Sequence, residues 1–257
     1  MSIITEVQRI QTAKADLKTT MKSKGVTIDE TAKIDVYASK IEIVYNTGYE
    51  QGKSEGDGTG VRPTNYASAI KFTTDEWAES DNVVIDMPNL KDMASMFGYI
   101  TFNKIKALTI RSETPITTCG SAFQGSSGSS GDMLERLILY VDFSQCTTFS
   151  NTFMTRPNLT SIEGNPIDFS SATSIGNGTF GYLGKLQSLR VVPGSIHASI
   201  RFVNSPSLDD ATIQNIIDGL ADLTGGTAQT LTFATQVKAK LTDAQKATIT
   251  GKNWTLA

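Results

Sequence analysis

The sequence predicts a mixed α/β protein in which a solenoid with a parallel sheet follows an N-terminal helical hairpin and a flexible linker. Three observations lead to this prediction. Similar sequence segments recur: "DFSQCTTFSNTF" at 142–153 is followed by "DFSSATSIGNGTF" at 168–180. Apolar residues near the N-terminus have helical spacing, and a glycine-rich stretch separates them from the repeats. We expect modules at 1–44, 45–61 and 62–257.

The first module is predicted to be a helical hairpin. Its first helix has apolar residues at steps of three and four, which form an apolar seam along one face. Lys14 occupies the one position of this seam that is polar. This apolar seam consists of Ile3, Val7, Ile10, Leu17 and Met21. Gly25 suits a helix stop, and Asp29 suits the N-cap of a second helix. The apolar face of that second helix consists of Ile34, Tyr37, Ile41 and Val44.

Two interpretations of this hairpin stay open. The two apolar faces either pack only on each other, or they form an oligomerisation and docking module. The second interpretation has a physical reason, because two short helices alone bury too little apolar area to be stable in water.

The second module is predicted to be a flexible linker. Residues 46–60, "NTGYEQGKSEGDGTG", are dense in glycine and polar residues, and Tyr49 is their one large side chain. A segment of this composition has too little apolar area to pack, so it is expected to bend freely.

Phenylalanine marks the repeats of the third module. Each copy places apolar residues before one of four anchors, Phe97, Phe123, Phe153 and Phe180. The anchors lie 26, 30 and 27 residues apart, and the longest step holds the Gly/Ser insertion "GSSGSSG" at 125–131, which suits a surface loop. Strand-like bursts precede the later copies and follow the last. They are "ALTI" from 107, "LERLIL" from 134, "LTSIEG" from 159 and "LQSLRVV" from 186.

A period of roughly 20 to 29 residues with such bursts is typical of a leucine-rich-repeat-like solenoid. Each coil of a solenoid packs on its neighbours, so equivalent apolar residues meet, and we expect the four phenylalanines to form one column. Cys119 and Cys146 fall in inward-facing positions and are interpreted as small core residues. Asp142 and Asp168 occupy matching positions in adjacent copies, as structural turn residues would, and this interpretation is favoured over a catalytic pair.

Caps are predicted at both ends of the repeats. The N-terminal cap is expected at 62–88, with strands near 69–73 and 83–86. At the other end, "SLDDATIQNIIDGLADLTGG" at 207–226 predicts a helix, and its apolar face consists of Ile213, Ile216, Ile217 and Leu220. These caps would keep the sheet from presenting an open edge.

The C-terminal segment carries two possible capping boxes and two strand patterns. Ser207 with Asp210, and Thr242 with Gln245, have capping-box spacing. "TLTF" from 230 predicts a strand, and the final "NWTLA" predicts an edge strand.

Composition argues against several classes of function. The 257 residues are 39% hydrophobic and carry a formal net charge of −3, with basic and acidic residues intermixed, so nucleic-acid binding is not expected. The longest apolar runs, such as "LILYV" at 137–141, are far shorter than the roughly 18 residues that span a bilayer. We predict no membrane insertion.

Catalytic, metal and cofactor sites are not predicted either. Cys119, Cys146 and His197 are the chain's only cysteines and histidine, and they form no set of the three or four ligands that zinc needs. No phosphate-binding loop, nucleophile elbow or histidine-bearing triad appears. We therefore predict no cofactor and no enzyme activity.

Several segments resemble phage proteins. "DMASMFGY", "CGSAFQG" and "FSNTFMTRPNLTSIE" resemble leucine-rich repeats of the bacterial-surface-protein-A kind, found in gut and oral bacteria and their phages. The segments "IQNIIDGLADLTGGTAQTLTF" and "KLTDAQKATITGKNWTLA" look like the closing portion of phage-encoded members. "IQTAKADLKTTMKSKGVTIDETAKIDVYASKI" with "GYEQGKSEG" is similar to amino-terminal modules of phage tail, fibre and other minor virion proteins.

The resemblance implies a structural virion appendage, either a tail fibre or a head fibre. Its N-terminal helices would attach to other virion proteins and assemble a trimer or dimer, while the solenoid binds a host surface protein or glycan. The contact residues suggested for such a ligand are Tyr140, Tyr182, Arg190 and Arg201. Each of the four residues is also compatible with an ordinary surface position or a partly buried position that has no role in ligand binding.

The start of the chain agrees with a virion location. "MSIITEVQRI" has no basic stretch followed by an apolar one, so no secretory signal is predicted. A virion protein is made in the host cytoplasm and leaves by lysis. The alternative is a prophage-derived bacterial interaction protein or adhesin. Degradation of host polysaccharide is disfavoured, because no convincing acid/base pair is present.

Overall fold

The computed structural model describes part of the unit Thr64–Ala257. The residues described are 72, 75, 78, 81–126 and 131–257. The predicted hairpin at 1–44 and the linker at 45–61 lie outside the described residues, and so does all but Phe72 of the strand expected near 69–73.

The fold is mixed α/β with two parallel sheets. The first sheet contains four strands in chain order: β1 Asn82–Asp86, β2 Ala107–Arg111, β3 Arg136–Tyr140 and β4 Ser161–Gly164. The second sheet contains three strands, also in chain order: β5 Ile200–Phe202, β6 Gln229–Phe233 and β7 Trp254–Leu256. Every neighbouring pair is parallel.

Equivalent residues of successive strands lie side by side. Leu108, Leu137 and Ile162 are Cα partners across β2, β3 and β4, and all three are buried. Because side chains alternate along a strand, one face of this sheet joins the core and the other faces outward. The predicted strands at 83–86 and in the first three bursts are confirmed.

The burst from 186 does not form a strand. It makes two isolated bridges instead, Ser161 with Ser188 and Ile167 with Val191. Between these bridges β4 ends at Gly164, whose φ of 93° is left-handed, and Pro166 has no N–H group to donate. The parallel ladder is interrupted there for that reason.

The phenylalanine anchors form one column of rings. The ring centroids of Phe97 and Phe123 lie 5.8 Å apart, those of Phe123 and Phe153 5.9 Å, and those of Phe153 and Phe180 5.4 Å. The predicted column is thereby confirmed. Three further rings that the repeat pattern had not included extend it at its two ends. They are Phe72, Phe202 and Phe233.

Backbone hydrogen bonds join the same repeats near the rings. The N–H of Phe97 donates to the carbonyl of Ala122, that of Phe123 to Thr152, and that of Phe153 to Thr179. Each acceptor directly precedes the next anchor in the chain. Successive repeats are therefore bonded both through the sheet and through the segment that carries the phenylalanine.

Three helices complete the C-terminal part. They are α1 Asp210–Gly219, α2 Thr235–Lys240 and α3 Asp243–Gly251. The capping box of Thr242 and Gln245 is confirmed at the start of α3. The box expected for Ser207 and Asp210 is wrong, because the Asp209 carboxylate caps α1 while the Ser207 hydroxyl donates to Gly184 of the preceding repeat.

Strand predictions in this part hold, whereas one helix was missed. "TLTF" lies within β6, and the final segment forms β7 at the edge of the second sheet. The short helix α2 was not predicted, and it follows β6 directly. Its one buried residue, Val237, is too weak a signal for a periodic pattern.

Arg156 is a buried cation that ties several turns together. Its Nε donates to the carbonyl of Phe123 at 2.6 Å, and its Nη atoms donate to Ile100 at 2.9 Å and Phe97 at 3.1 Å. Its charge is paired with Asp132, 2.5 Å away and equally buried. One side chain thereby satisfies carbonyl groups of two neighbouring repeats beside the Gly/Ser insertion.

Replacing Phe153 with alanine should lower the free energy of unfolding by about 3 to 5 kcal/mol, because a fully buried ring that touches two others leaves a cavity. The matched control is Tyr182→Ala, since Tyr182 is 60% exposed and its loss should cost less than about 0.5 kcal/mol. Urea unfolding measures both. Equal losses would contradict the ring column.

Replacing Arg156 with methionine should cost about 3 to 5 kcal/mol, because the buried Asp132 carboxylate loses its partner. The control is Lys106→Met, which removes a half-exposed pair with Asp81 at 3.5 Å and should cost less than about 1 kcal/mol. Urea unfolding of the two variants at pH 7 compares them. A cost for Arg156→Met as small as that of the control would refute the role assigned to this arginine.

Candidate binding surface

The outward side of the first sheet is the candidate binding surface. Alternate residues of β1 to β4 point away from the core, and several are large or charged. We call this surface the outer face and define it by six residues, Val84, Arg111, Arg136, Ile138, Tyr140 and Glu163.

An aromatic ring and a guanidinium group lie together at the carboxyl end of the sheet. Arg111 and Tyr140 are Cα partners on β2 and β3, and the guanidinium carbon lies 5.7 Å from the centroid of the ring. Tyr140 remains 47% exposed. Asp86 is the partner of Arg111 on β1, so a carboxylate, a cation and a phenol occupy successive strands. Such a row offers both stacking and hydrogen-bonding contacts to a ligand.

An ion pair occupies the other side of the outer face. The Nε and Nη2 atoms of Arg136 donate to the two carboxylate oxygens of Glu163 at 2.8 and 2.7 Å. The Ser161 hydroxyl donates to the same carboxylate at 2.6 Å. The hydrogen bond from Arg136 is the main cause that lowers the pKa of Glu163 to about 2. This carboxylate is therefore ionised at neutral pH, and both charges are already partnered.

The middle row of the outer face is mixed, because Glu163 continues it on β4 beside Ile138. Val84, Thr109 and Ile138 are Cα partners across β1, β2 and β3. Val84 is 58% exposed. The outer face thus combines one exposed valine with arginine and tyrosine side chains, and arginine and aromatic residues are enriched at protein interfaces.

The four residues proposed from sequence as ligand contacts lie in different places. Tyr140 is on the outer face, whereas Arg201 is on β5 in the second sheet. Arg190 follows the isolated bridge at Ser188, and Tyr182 lies in the turn after the anchor Phe180. Within the described residues, no hydrogen bond, ion pair or ring contact joins any two of the four.

Sequence reasoning missed Arg111, the neighbour of Tyr140. The signal was present, because both residues end a burst, in "ALTIR" and "RLILY", and equal positions in successive strands of a parallel sheet become neighbours. The docking residues proposed from sequence lie outside the described residues. They are Ile3, Val7, Ile10, Leu17 and Met21.

Two further exposed tyrosines occupy matching turns. Tyr99 and Tyr182 each follow Phe-Gly, at 97–99 and 180–182, and each is 60% exposed. Their φ angles of 67° and 57° are left-handed, which costs a non-glycine residue roughly 1 kcal/mol or more. These tyrosines therefore offer rings to solvent from a backbone conformation that glycine would adopt more easily.

The matched carboxylates Asp142 and Asp168 act in turns. The Oδ1 atom of each accepts a hydrogen bond from the backbone N–H two residues further on, at Ser144 and Ser170, both at 2.8 Å. This arrangement is an Asx-turn and repeats from one copy to the next. The described residues contain no cluster of three or more His, Cys, Asp or Glu side chains placed to hold a metal ion.

No family model, curated protein or solved structure matches this chain. Among the described residues, no helix has the length and apolar character needed to cross a membrane.

The Glu163 carboxyl should titrate with a midpoint near pH 2 rather than near pH 4.5, because Arg136 and Ser161 stabilise its ionised form. A carboxyl whose pKa is lower in the folded state stabilises the fold above its unfolded pKa. That contribution is lost as the pH falls from about 4.5 to about 2. Carbon-13 NMR of the glutamate carboxyls measures the midpoint, with Arg136→Met as the control. An ordinary midpoint in the unaltered protein would contradict the pairing.

Proposed function

We propose that this chain is a structural virion appendage protein, a tail or head fibre, that displays a leucine-rich-repeat-like solenoid for attachment to a host surface. The phage-like segments of the sequence support the virion role. The observation that carries the solenoid is the column of phenylalanine rings, in which anchors 26 to 30 residues apart in the chain contact one another.

Hydrogen bonding supports the same arrangement. In a solenoid each coil contacts only its neighbours along the stack. The first sheet has its strands in chain order, and the backbone bonds from Phe97, Phe123 and Phe153 each reach the following repeat. Both features are expected when every repeat forms one coil.

The outer face is proposed as the surface that contacts the host. Tyr140 and Arg111 provide a ring and a cation side by side, while Val84 provides exposed apolar area. None of these three side chains is fully buried, so the core does not require their identity. A host surface protein or glycan is the proposed ligand. Several copies on one particle would turn weak contacts into firm attachment through effective concentration.

The N-terminal helices are proposed to attach the protein to the particle and to assemble a trimer or dimer. The helical spacing of the apolar residues between Ile3 and Met21 supports this proposal. Two short helices alone bury too little apolar area to be stable in water, and a binding partner would supply the missing contact area. The Gly-rich linker would then allow the displayed domain to reorient toward the host.

Purified phage particles should contain this chain in stoichiometric amounts, and quantitative mass spectrometry measures its copy number against a known capsid protein. Absence from washed particles, with the chain found in the bacterial fraction, would refute the virion role. That result would favour the prophage-derived bacterial interaction protein.

Binding of particles to host cells should fall about 5-fold or more on Tyr140→Ala, because truncation of an aromatic contact residue at an interface costs about 1 kcal/mol or more. Lys246→Ala is the matched control, since Lys246 is exposed on α3 and should leave binding unchanged. Adsorption assays on whole cells give both values. Equal adsorption of the two variants would contradict the proposal that the outer face contacts the host.

A further inference from the structure

Two cysteines from adjacent repeats meet inside the core. Cys119 and Cys146 are both fully buried and carry free thiols, as predicted for small core residues. Their sulfur atoms lie 3.2 Å apart, which is closer than two non-bonded sulfur atoms pack at their usual separation. A disulfide bond is about 2.0 Å long, so the sulfur atoms need to approach by only about 1 Å.

The surroundings hold the two thiols toward each other. Both Sγ atoms are within hydrogen-bonding distance of one carbonyl oxygen, that of Thr148, at 3.3 Å from Cys119 and 3.5 Å from Cys146. The Cys119 backbone is fixed as well, because its N–H donates to Thr148 and its carbonyl accepts from the Thr152 hydroxyl at 3.0 Å.

We propose that Cys119 and Cys146 are an oxidation site at which a small peroxide forms a disulfide between neighbouring repeats. The proposal concerns this pair alone and does not depend on the virion role. A disulfide here would close the chain between residues 119 and 146 and restrict the unfolded state. It would therefore lock two repeats whose contact is otherwise non-covalent.

The two thiols differ in how easily they lose a proton. Burial is the main cause that raises the pKa of Cys119. The hydrogen bond from Cys119 is the main cause that lowers the pKa of Cys146. Cys146 is therefore the thiolate that reacts first, since the thiolate is the nucleophile.

The reaction balances with hydrogen peroxide as the oxidant. The Cys146 thiolate attacks one peroxide oxygen, the O–O bond breaks, and hydroxide leaves, which gives a sulfenic acid. The Cys119 sulfur then attacks the Cys146 sulfur and displaces the sulfenic oxygen as water after protonation. In total, two thiols lose two protons and two electrons, and one peroxide becomes two waters.

Oxidation of the folded full-length chain tests the proposal. Hydrogen peroxide at neutral pH should lower the intact mass by about 2 Da, and non-reducing peptide mapping should find Cys119 joined to Cys146. Dithiothreitol should restore the original mass. The oxidised protein should also unfold several degrees higher than the reduced protein.

Single-cysteine variants provide the controls. Cys119→Ala and Cys146→Ala should each fail to form the internal cross-link, and urea unfolding shows whether each is folded. If either variant is unfolded, blocking both thiols with iodoacetamide in urea before oxidation gives the same control without a substitution. The proposal is overturned if peroxide adds oxygen atoms to the folded, unaltered chain and no Cys119–Cys146 cross-link forms. It is also overturned if the folded chain keeps both thiols under conditions that cross-link the same chain in urea.

Discussion

Stacking of equivalent apolar side chains from one repeat onto the next is the interaction on which the rest of the structure depends. A single repeat of about 27 residues is too small to bury its own apolar residues, so its neighbours must supply the other side of the contact. The Phe97, Phe123, Phe153 and Phe180 rings satisfy this condition directly. In the parallel sheet, equal positions of successive strands also lie side by side.

Polar groups find their partners within the arrangement that this apolar packing sets. Backbone N–H groups at the anchors find carbonyls one repeat away, and Arg156 supplies donors where the insertion at 125–131 lengthens the chain. Burying an arginine is favourable only when its charge and its N–H groups are all partnered, and Asp132 with several carbonyls provides those partners. The irregular repeat length is thereby accommodated without breaking the column.

Prediction from sequence succeeded where a signal lies within one segment. The anchors, the first three strand bursts and the Thr242 box are local patterns, and the structure contains each of them. It failed where a feature depends on partners distant in the chain, as for Arg156 and the Arg111–Tyr140 contact. Phe202 and Phe233 were missed because their spacing departs from the period, although the column continues through them. The outer face was found only in part: Tyr140 was proposed from sequence, whereas Arg111, which ends the preceding strand at the equal position, was missed.

Contacts between the anchor rings test the central claim most directly. In a protein labelled at phenylalanine, nuclear Overhauser effects should connect the ring protons of Phe97 with Phe123, Phe123 with Phe153, and Phe153 with Phe180. None should connect Phe97 with Phe180, because two rings separate them. Rings that show no mutual effects, or that contact one another out of chain order, would contradict the stacking of successive repeats.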